Sequence, residues 1–145
     1  MSSYLNFYLV PKKERSDIQK PLLFNSYSRS SDIYQAYYEN IIPAFIGNDD
    51  ERHYTELTKE LSEYLVCELK KDIDKTKKNF EAKMKAYKEL PKLEGEALDS
   101  YLEEATSTPE YINKLESTLH FAEFINNIID DLEYSDFEKL LINID

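Results

Sequence analysis

Apolar residues recur three or four positions apart between Leu57 and Leu90, in the longest pattern of helical spacing along the chain. The pattern includes one threonine and contains no glycine or proline: Leu57, Leu61, Leu65, Leu69, Ile73, Thr76, Phe80, Met84, Tyr87 and Leu90. Such spacing places the residues on one face, so we predict a single long helix over residues 53–90. At about 1.5 Å per residue it would be roughly 55 Å long, more than a compact domain of this size accommodates. It therefore needs a partner helix along its length.

A second helical pattern lies nearer the carboxyl terminus. Thr108 followed by Pro109 marks its start, because proline is favoured at the first helical position, and predicts a partner helix over residues 108–133. Its apolar seam consists of Ile112, Leu115, Leu119, Ala122, Ile125, Ile129 and Leu132, widened by Phe121, Phe124 and Ile128. Pro91 ends the long helix, and residues 95–105 are predicted to form a separate short helix. The two long helices should form an antiparallel, coiled-coil-like hairpin.

We predict a small β-hairpin over residues 1–30, at the amino terminus. Leu5, Phe7 and Leu9 alternate with polar and tyrosine residues, as in a strand with one buried face. A second short apolar run, from Leu22 to Tyr27, follows a long polar loop. Two strands alone are marginally stable in water, so the β-hairpin has to lie on the helices or gain a third strand.

The carboxyl-terminal segment, residues 135–145, is the candidate for that third strand, because it contains an apolar run from Leu140 to Ile144. Ser135 could equally cap a short helix in the same segment. The sequence alone leaves both alternatives open.

A short helix is predicted over residues 31–47, because either serine before Asp32 can cap it and the aspartate suits the positive end of the helix dipole. Pro43 disfavours helical geometry at Ile42, so the helix should stop near there. Residues 47–50, Gly-Asn-Asp-Asp, predict a turn that leads into the long helix and supplies its cap.

The composition favours one mostly helical α+β domain spanning residues 1–145. Only two glycines and five prolines leave few sites for tight turns, which disfavours a sandwich or barrel of many short strands. Hydrophobic residues at 41% and aromatic residues at 13% argue against wholesale disorder.

Charge is distributed unevenly between the two long helices. From Lys70 to Lys92 there are nine lysines and four acidic residues, a local charge of +5. From Glu94 to Glu138 there are thirteen acidic residues and one lysine, a local charge of −12. Folding back through Pro91 would set these segments side by side. Each exposed pair contributes about a few tenths of a kcal/mol, so burial would stabilise the hairpin and charge would select its pairing.

The formal net charge of −11 disfavours direct binding to nucleic acid or to an anionic membrane. The chain has no apolar run long enough to span a bilayer and no signal-peptide pattern at its start, so we expect a cytoplasmic protein. Cys67 is the only cysteine, which excludes an internal disulfide. Its neighbours favour a small core residue over a nucleophile.

His53 with Glu56 and His120 with Glu123 are the candidates for metal binding, because the members of each pair lie one helical turn apart and Glu116 could add a further ligand. Di-metal helical bundles use Glu-x-x-His, the opposite order, so solvated polar positions are the favoured interpretation. The chain also lacks a phosphate-binding loop, a nucleophile elbow and a dinucleotide fingerprint. We therefore expect neither enzymatic activity nor a cofactor.

The segment from Tyr27 to Tyr38 is rich in tyrosine and contains one arginine, and both residue types are enriched in protein interfaces. Five of its side chains are the candidates for binding a protein partner: Tyr27, Arg29, Tyr34, Tyr37 and Tyr38. The competing interpretation is that the last three simply pack the short helix on the β-hairpin.

Together with residues 4–11, Tyr-Leu-Asn-Phe-Tyr-Leu-Val-Pro, this tyrosine-rich segment resembles small uncharacterised proteins encoded by tailed bacteriophages. The resemblance covers the first third of the chain and contains no catalytic or binding motif, so it transfers no functional residue. It implies a viral origin, with the protein as a virion component or as a factor that acts on a host protein.

The leading hypothesis is a non-enzymatic structural or accessory protein that works by contact with a protein partner or with its own copies. The helical hairpin would serve as a spacer and the tyrosine-rich end as the contact surface. The alternative is an acidic protein that mimics nucleic acid and occupies the groove of a basic host protein. Its candidate face consists of Asp130, Asp131, Glu133, Asp136 and Glu138. The basic segment from Lys70 to Lys92 counts against this alternative, because its lysines would neutralise part of that face.

Overall fold

The computed structural model describes residues 3–13, 20–41 and 54–144. In chain order its elements are β1 (Tyr4–Pro11), β2 (Leu22–Ser28), α1 (Asp32–Asn40), β3 (Thr55–Glu56), α2 (Lys59–Lys88), α3 (Gly95–Asp131), a 3₁₀ helix (Leu132–Tyr134) and β4 (Phe137–Ile144). The predicted fold class is confirmed: a mostly helical α+β structure with a long helical hairpin, an amino-terminal β-hairpin and a carboxyl-terminal strand.

The four strands form one antiparallel sheet in the order β2-β1-β4-β3. β4 lies beside β1, with Phe7 opposite Ile142, so the third strand forms and the alternative helix does not. Burial on both faces favours the strand: Leu140 and Ile142 are buried with Leu5 and Phe7 on the face that packs on the helices, and Leu141 is buried on the other face. The sequence pattern does not predict β3, since two residues are too few to show alternation.

Ion pairs show how α2 and α3 align. As the number of the lysine rises along α2, the number of its acidic partner on α3 falls: Lys59–Asp130 at 2.8 Å, Lys77–Glu116 at 3.3 Å and Lys83–Glu104 at 3.1 Å. This order is that of an antiparallel hairpin, and it is the pairing that the two local charges predict. Because the pairs are solvent-accessible, each contributes only about 0–1 kcal/mol.

Apolar burial between the helices and the sheet stabilises the fold. The most deeply buried core residues come from β1, α1, β4, the segment around the start of α2 and the second half of α3: Leu5, Phe7, Tyr37, Ile41, Leu57, Leu65, Ala122, Ile125, Leu140 and Ile142. Full burial of one large apolar side chain is worth roughly 1.5–3 kcal/mol, so this core outweighs the ion pairs. Along the hairpin, burial ends at Ile73 of α2 and at Ile112 of α3, and no residue between them is buried.

The distal part of the helical hairpin is therefore separate from the core, and we call residues 74–111 the arm. Every residue of the arm is half-buried or exposed. Phe80, Met84 and Tyr87 of α2 are half-buried along the seam with α3. The predicted apolar stripe thus has two environments, because its first half packs under the sheet and α1 whereas its second half packs on one helix only.

The long helix starts at Lys59, later than predicted. Thr58 caps it, since its Oγ1 accepts a hydrogen bond from a backbone N–H of the first turn at 3.3 Å. The residues before it are extended because β4 offers them backbone hydrogen bonds, among them one from the Leu57 N–H to the Leu140 carbonyl at 2.9 Å. Pairing with the sheet therefore outweighs the helical propensity of this segment.

Several predictions fall partly outside the described residues. The predicted start of the helix over residues 31–47 is confirmed, and the Ser31 Oγ caps it by accepting a hydrogen bond from the Ile33 N–H at 3.1 Å. α1 ends at Asn40 with Ile41 as its C-cap, close to the stop that Pro43 predicts and short of residue 47. The turn at residues 47–50 and most of the loop between β1 and β2 lie outside the described ranges.

α3 is continuous through Pro109, so its predicted division into helices over residues 95–105 and 108–133 is wrong. Proline removes one backbone donor and leaves the carbonyl of Ala105, four residues earlier, without its helical hydrogen bond. The helix continues because α3 packs along α2 on both sides of this position, with ion pairs before and after it. Tertiary packing has overridden a strong local start signal.

We expect the substitution Pro109→Ala to raise the free energy of unfolding by about 1–3 kcal/mol, because alanine restores the missing donor and has the highest helix propensity. Chemical denaturation followed by circular dichroism measures the change. Glu110→Ala, at the next position, is the control and should change the free energy by less than about 0.5 kcal/mol. Unchanged or lower stability of Pro109→Ala would show that the proline costs the helix nothing.

Candidate protein-binding surface at the β2 edge

The structure separates the five candidates of the tyrosine-rich segment instead of placing them on one surface. Tyr37 is fully buried and Tyr34 is 4% exposed, so both pack α1 onto the core. Tyr38 is 49% exposed and stacks on Tyr34 with ring centroids 5.9 Å apart. Tyr27 is half-buried in β2, and Arg29 is exposed just after that strand. The packing interpretation thus describes Tyr34 and Tyr37, whereas Tyr27 and Arg29 adjoin the edge of the sheet.

Aromatic rings from three neighbouring elements surround Phe7, in the middle of β1. The ring centroids lie 6.1 Å away for Phe24, 6.0 Å for Tyr27, 5.3 Å for Tyr37 and 5.4 Å for Phe121. All but the first of these contacts are edge-on, and such pairs add about 0.5–1.5 kcal/mol beyond the area that they bury. The cluster fixes β2, α1 and α3 around one strand.

The aromatic cluster reaches the surface where β2 forms the edge of the sheet. Tyr27 contacts Phe121 with ring centroids 5.1 Å apart, and Phe121 contacts Phe124 at 6.2 Å. Phe124 is 50% exposed, and on the edge strand Leu22 is 51% and Leu23 is 56% exposed. The β2-edge surface, as we define it, consists of Leu22, Phe24, Tyr27 and Phe124, whereas Leu23, opposite Tyr8, lies on the other face of the sheet. Exposed apolar side chains grouped in this way are typical of interaction sites.

β2 also offers backbone hydrogen-bonding groups, because β1 is its only neighbour in the described part of the sheet. Edge strands are commonly protected by lysine or proline, and β2 contains neither. A shift of register opposite Phe7 and Tyr8 is the protective feature that this edge retains. Lys20 and Arg29 flank the strand, so the edge is locally basic in a protein that is acidic overall.

Sequence reasoning found Tyr27 and Arg29 but missed Leu22, Leu23 and Phe124 as surface residues. The sequence does contain a pattern that indicates a surface position for Phe124. Phe121, Phe124 and Ile128 follow one another at helical spacing beside the main seam, so α3 has a second apolar stripe. A helix with two stripes packs against two elements, here α2 and the sheet, and the outer residue of the second stripe is left at the surface.

The alternative acidic face is exposed, but lysines lie within it. Its members run from the end of α3 to the start of β4: Asp130, Asp131, Glu133, Asp136 and Glu138. Lys59 pairs with Asp130 at 2.8 Å. The Lys12 Nζ donates a hydrogen bond to the Glu133 carbonyl at 3.1 Å, and the Lys12 backbone N–H donates one to the Asp136 carbonyl at 2.9 Å. The two lysines offset negative charge at a helix carboxyl terminus, where acidic side chains are unfavourable.

The candidate metal ligands are not assembled in the described ranges, where no group of three His, Cys, Asp or Glu side chains could hold an ion. His53 lies outside these ranges, and Glu56 belongs to β3 instead of a helix. His120 and Glu123 are exposed on α3. Glu56, His120 and Glu123 are therefore solvent-exposed polar residues in this structure.

Cys67 is exposed, so the prediction of a core position is wrong. Its neighbour Val66 is buried, and consecutive residues of a helix point about 100° apart. Val66 lies on the edge of the apolar face of α2, so Cys67, the next residue, points away from that face.

No helix in the described ranges combines the length and the apolar character that crossing a bilayer requires. Comparison with known proteins gives no relative, since no family model, no curated protein and no solved structure matches the chain. The resemblance to bacteriophage proteins stays a prediction. The function has to be inferred from the geometry of the described residues.

Tyr37 has a buried hydroxyl that finds no hydrogen-bond partner among the described residues. Burial raises the pKa of this hydroxyl well above its ordinary value of 10.0, and the neighbouring Tyr27 adds to the shift. Because folding raises the pKa, the stability that depends on neutral Tyr37 is complete below about pH 10 and is lost as the pH rises further.

We expect Tyr37→Phe to raise the free energy of unfolding at pH 7 by about 1 kcal/mol, because the substitution removes an unpaired buried hydroxyl. Above about pH 10, the stability of this variant should fall less steeply than that of the wild type, by up to roughly 1.4 kcal/mol per pH unit. Denaturation curves at a series of pH values test both effects. The exposed Tyr38 supplies the control, and Tyr38→Phe should keep the wild-type dependence. Identical pH dependence of the two variants would contradict this role of Tyr37.

Proposed function

We propose that this protein is a non-enzymatic accessory protein that binds a protein partner through the β2-edge surface, with the arm as a spacer. The observation that carries the proposal is the exposure of Leu22 and Phe124 beside an edge strand without charged residues. Exposed apolar side chains thus occur at the same edge as backbone groups that no strand of the described sheet pairs with. Each feature alone is common, but together they offer both of the contacts that strand recognition uses.

The chemistry of the edge suggests what kind of segment the partner contributes. An extended segment that adds to β2 would gain main-chain hydrogen bonds, and its alternate side chains would pack on Phe24, Tyr27 and Phe124. Lys20 and Arg29, at the two ends of the strand, favour acidic residues on either side of that segment. Large aromatic side chains and arginine contribute most of the binding energy in many protein interfaces.

The alternative, a mimic of nucleic acid, has weaker support. A basic groove would meet Lys12 and Lys59 among the acidic residues from Asp130 to Glu138. These cations reduce the electrostatic attraction that such a mimic depends on. The proposal of an apolar contact at the β2 edge does not require a highly charged partner.

Affinity capture with matched variants tests the proposed surface. The immobilised wild-type chain should retain a protein from lysate through a high-salt wash, because apolar contacts are little weakened by salt. The double variant Leu22→Ser/Phe124→Ser should lose that protein. Mass spectrometry of the retained proteins identifies the difference, and circular dichroism checks that the variant is folded.

A second double variant, Tyr64→Ser/Tyr134→Ser, is the control, because it removes exposed aromatic side chains outside the β2-edge surface. It should retain the same protein as the wild type. If all three baits retain the same proteins, the β2-edge surface does not bind the partner. If a basic protein is retained only at low salt, and only while Asp131 and Glu133 are intact, the acidic mimic replaces the proposal.

A further inference from the structure

The arm differs from the rest of the protein because, in the described part of the chain, no third element covers its two helices. Nearer the sheet, α1 and the strands pack on the helical hairpin, and Leu65, Leu69 and Ile125 are buried there. In the arm, Tyr87 and Tyr101 meet edge-on with ring centroids 5.5 Å apart, yet both remain half-buried. The apolar seam between α2 and α3 is thus covered by the sheet and α1 at one end, whereas in the arm no third element of the described chain covers it.

Exposed leucines extend the uncovered seam of the arm. Leu98 is 37% and Leu102 is 54% exposed, and their spacing of four positions places both on the same side of α3. Leu90 is 45% exposed where the chain turns between the helices. These side chains form an apolar strip at the far end of the protein from the β2 edge, since β2 packs on the opposite half of α3, near Phe121.

The two helices of the arm carry opposite charges. Residues 74–88 of α2 include six lysines and two acidic residues, whereas residues 95–111 of α3 include five acidic residues and no lysine or arginine. Lys83 and Glu104 form the one ion pair that joins the two helices inside the arm. Lys77 pairs with Glu116 just outside the arm, and the other charges leave a basic side on α2 and an acidic side on α3.

We propose that the arms of two copies of this chain associate into a four-helix bundle in which α2 of one copy lies beside α3 of the other. A two-fold contact requires a surface that complements itself, and an arm with one basic and one acidic helix meets that requirement. Contact of like helices would bring like charges together. The aliphatic stems of Lys85 and Lys88 would cover Leu98 and Leu102 of the other copy, with their ammonium groups near Asp99 and Glu103.

This association is independent of the proposed binding function. The β2-edge surface lies outside residues 74–111, so it stays accessible when two arms pair. A chain that dimerises but binds no other protein would leave the present proposal intact, and a monomer that binds a partner through Phe124 would leave only the binding function intact.

Charge reversal tests the arrangement, with association measured by sedimentation velocity on the full chain. The wild type should be a dimer in the micromolar range. Two variants should each associate about tenfold to hundredfold more weakly, because reversal places like charges at both contacts: Lys85→Glu/Lys88→Glu and Asp99→Lys/Glu103→Lys. An equimolar mixture of the two variants should recover a dimer, because each basic helix then meets an acidic helix of the other chain.

Two controls separate this contact from general charge effects and from misfolding. Lys13→Glu/Lys20→Glu changes the net charge as much as the first variant but lies outside the arm, and it should remain a dimer. Thermal unfolding followed by circular dichroism checks that each variant is folded before mixing. A wild type that sediments as a monomer throughout the micromolar range would overturn the proposal, and so would folded variants whose mixture stays monomeric.

Discussion

Packing of aromatic rings around Phe7 is the interaction on which the rest of the structure depends. Through this ring, β1 contacts β2 by Phe24 and Tyr27, α1 by Tyr37 and α3 by Phe121. A sheet and helices that share one apolar face need such a common centre, because neither the sheet nor the helical hairpin can bury that face alone. Tyr34 and Tyr37 of α1 are therefore committed to the core, and the aromatic residues left for a partner are those at the rim of the cluster.

Because this core has one centre, the molecule has two regions that differ in how completely their apolar side chains are buried. Where the sheet and α1 pack on the helical hairpin, Leu65 and Ile125 are excluded from water, whereas Leu98 and Leu102 of the arm are exposed. Helices in water depend on the burial of an apolar face more than on intrinsic propensity. The arm should therefore open more readily than the core, and a second layer of helices would supply the burial that it lacks.

Sequence periodicity was sufficient for the elements whose burial follows a regular pattern. Alternation placed Leu5 and Phe7 on the buried face of a strand, and the spacing from Leu65 to Ile73 placed the core face of α2. The opposite charges of the two helices indicated their pairing. Periodicity failed where a local signal competed with a distant contact: Pro109 signals a helix start, but packing along α2 carries α3 through it.

The candidate surface was harder to predict because it depends on what remains uncovered. The composition of the tyrosine-rich segment is the same whether its side chains face the core or a partner, and only the docking of α1 decides that Tyr37 is buried and Tyr38 exposed. Leu22 and Leu23 resemble core residues in the sequence. Their exposure follows from the position of β2 at the edge, which depends on β4 pairing with the other side of β1 across more than a hundred residues of chain.

The two proposed contacts reinforce each other through geometry. The β2-edge surface and the uncovered strip of the arm lie toward opposite ends of a helical hairpin whose longer helix has 37 residues, or about 55 Å at 1.5 Å per residue. Pairing of two arms would hold two β2-edge surfaces in fixed relation within one particle. A partner with repeated copies of its binding segment would then meet the second surface at high effective concentration, so weak strand addition at each edge would give stable attachment. The arm would in that case be both the spacer and the element that makes the attachment bivalent.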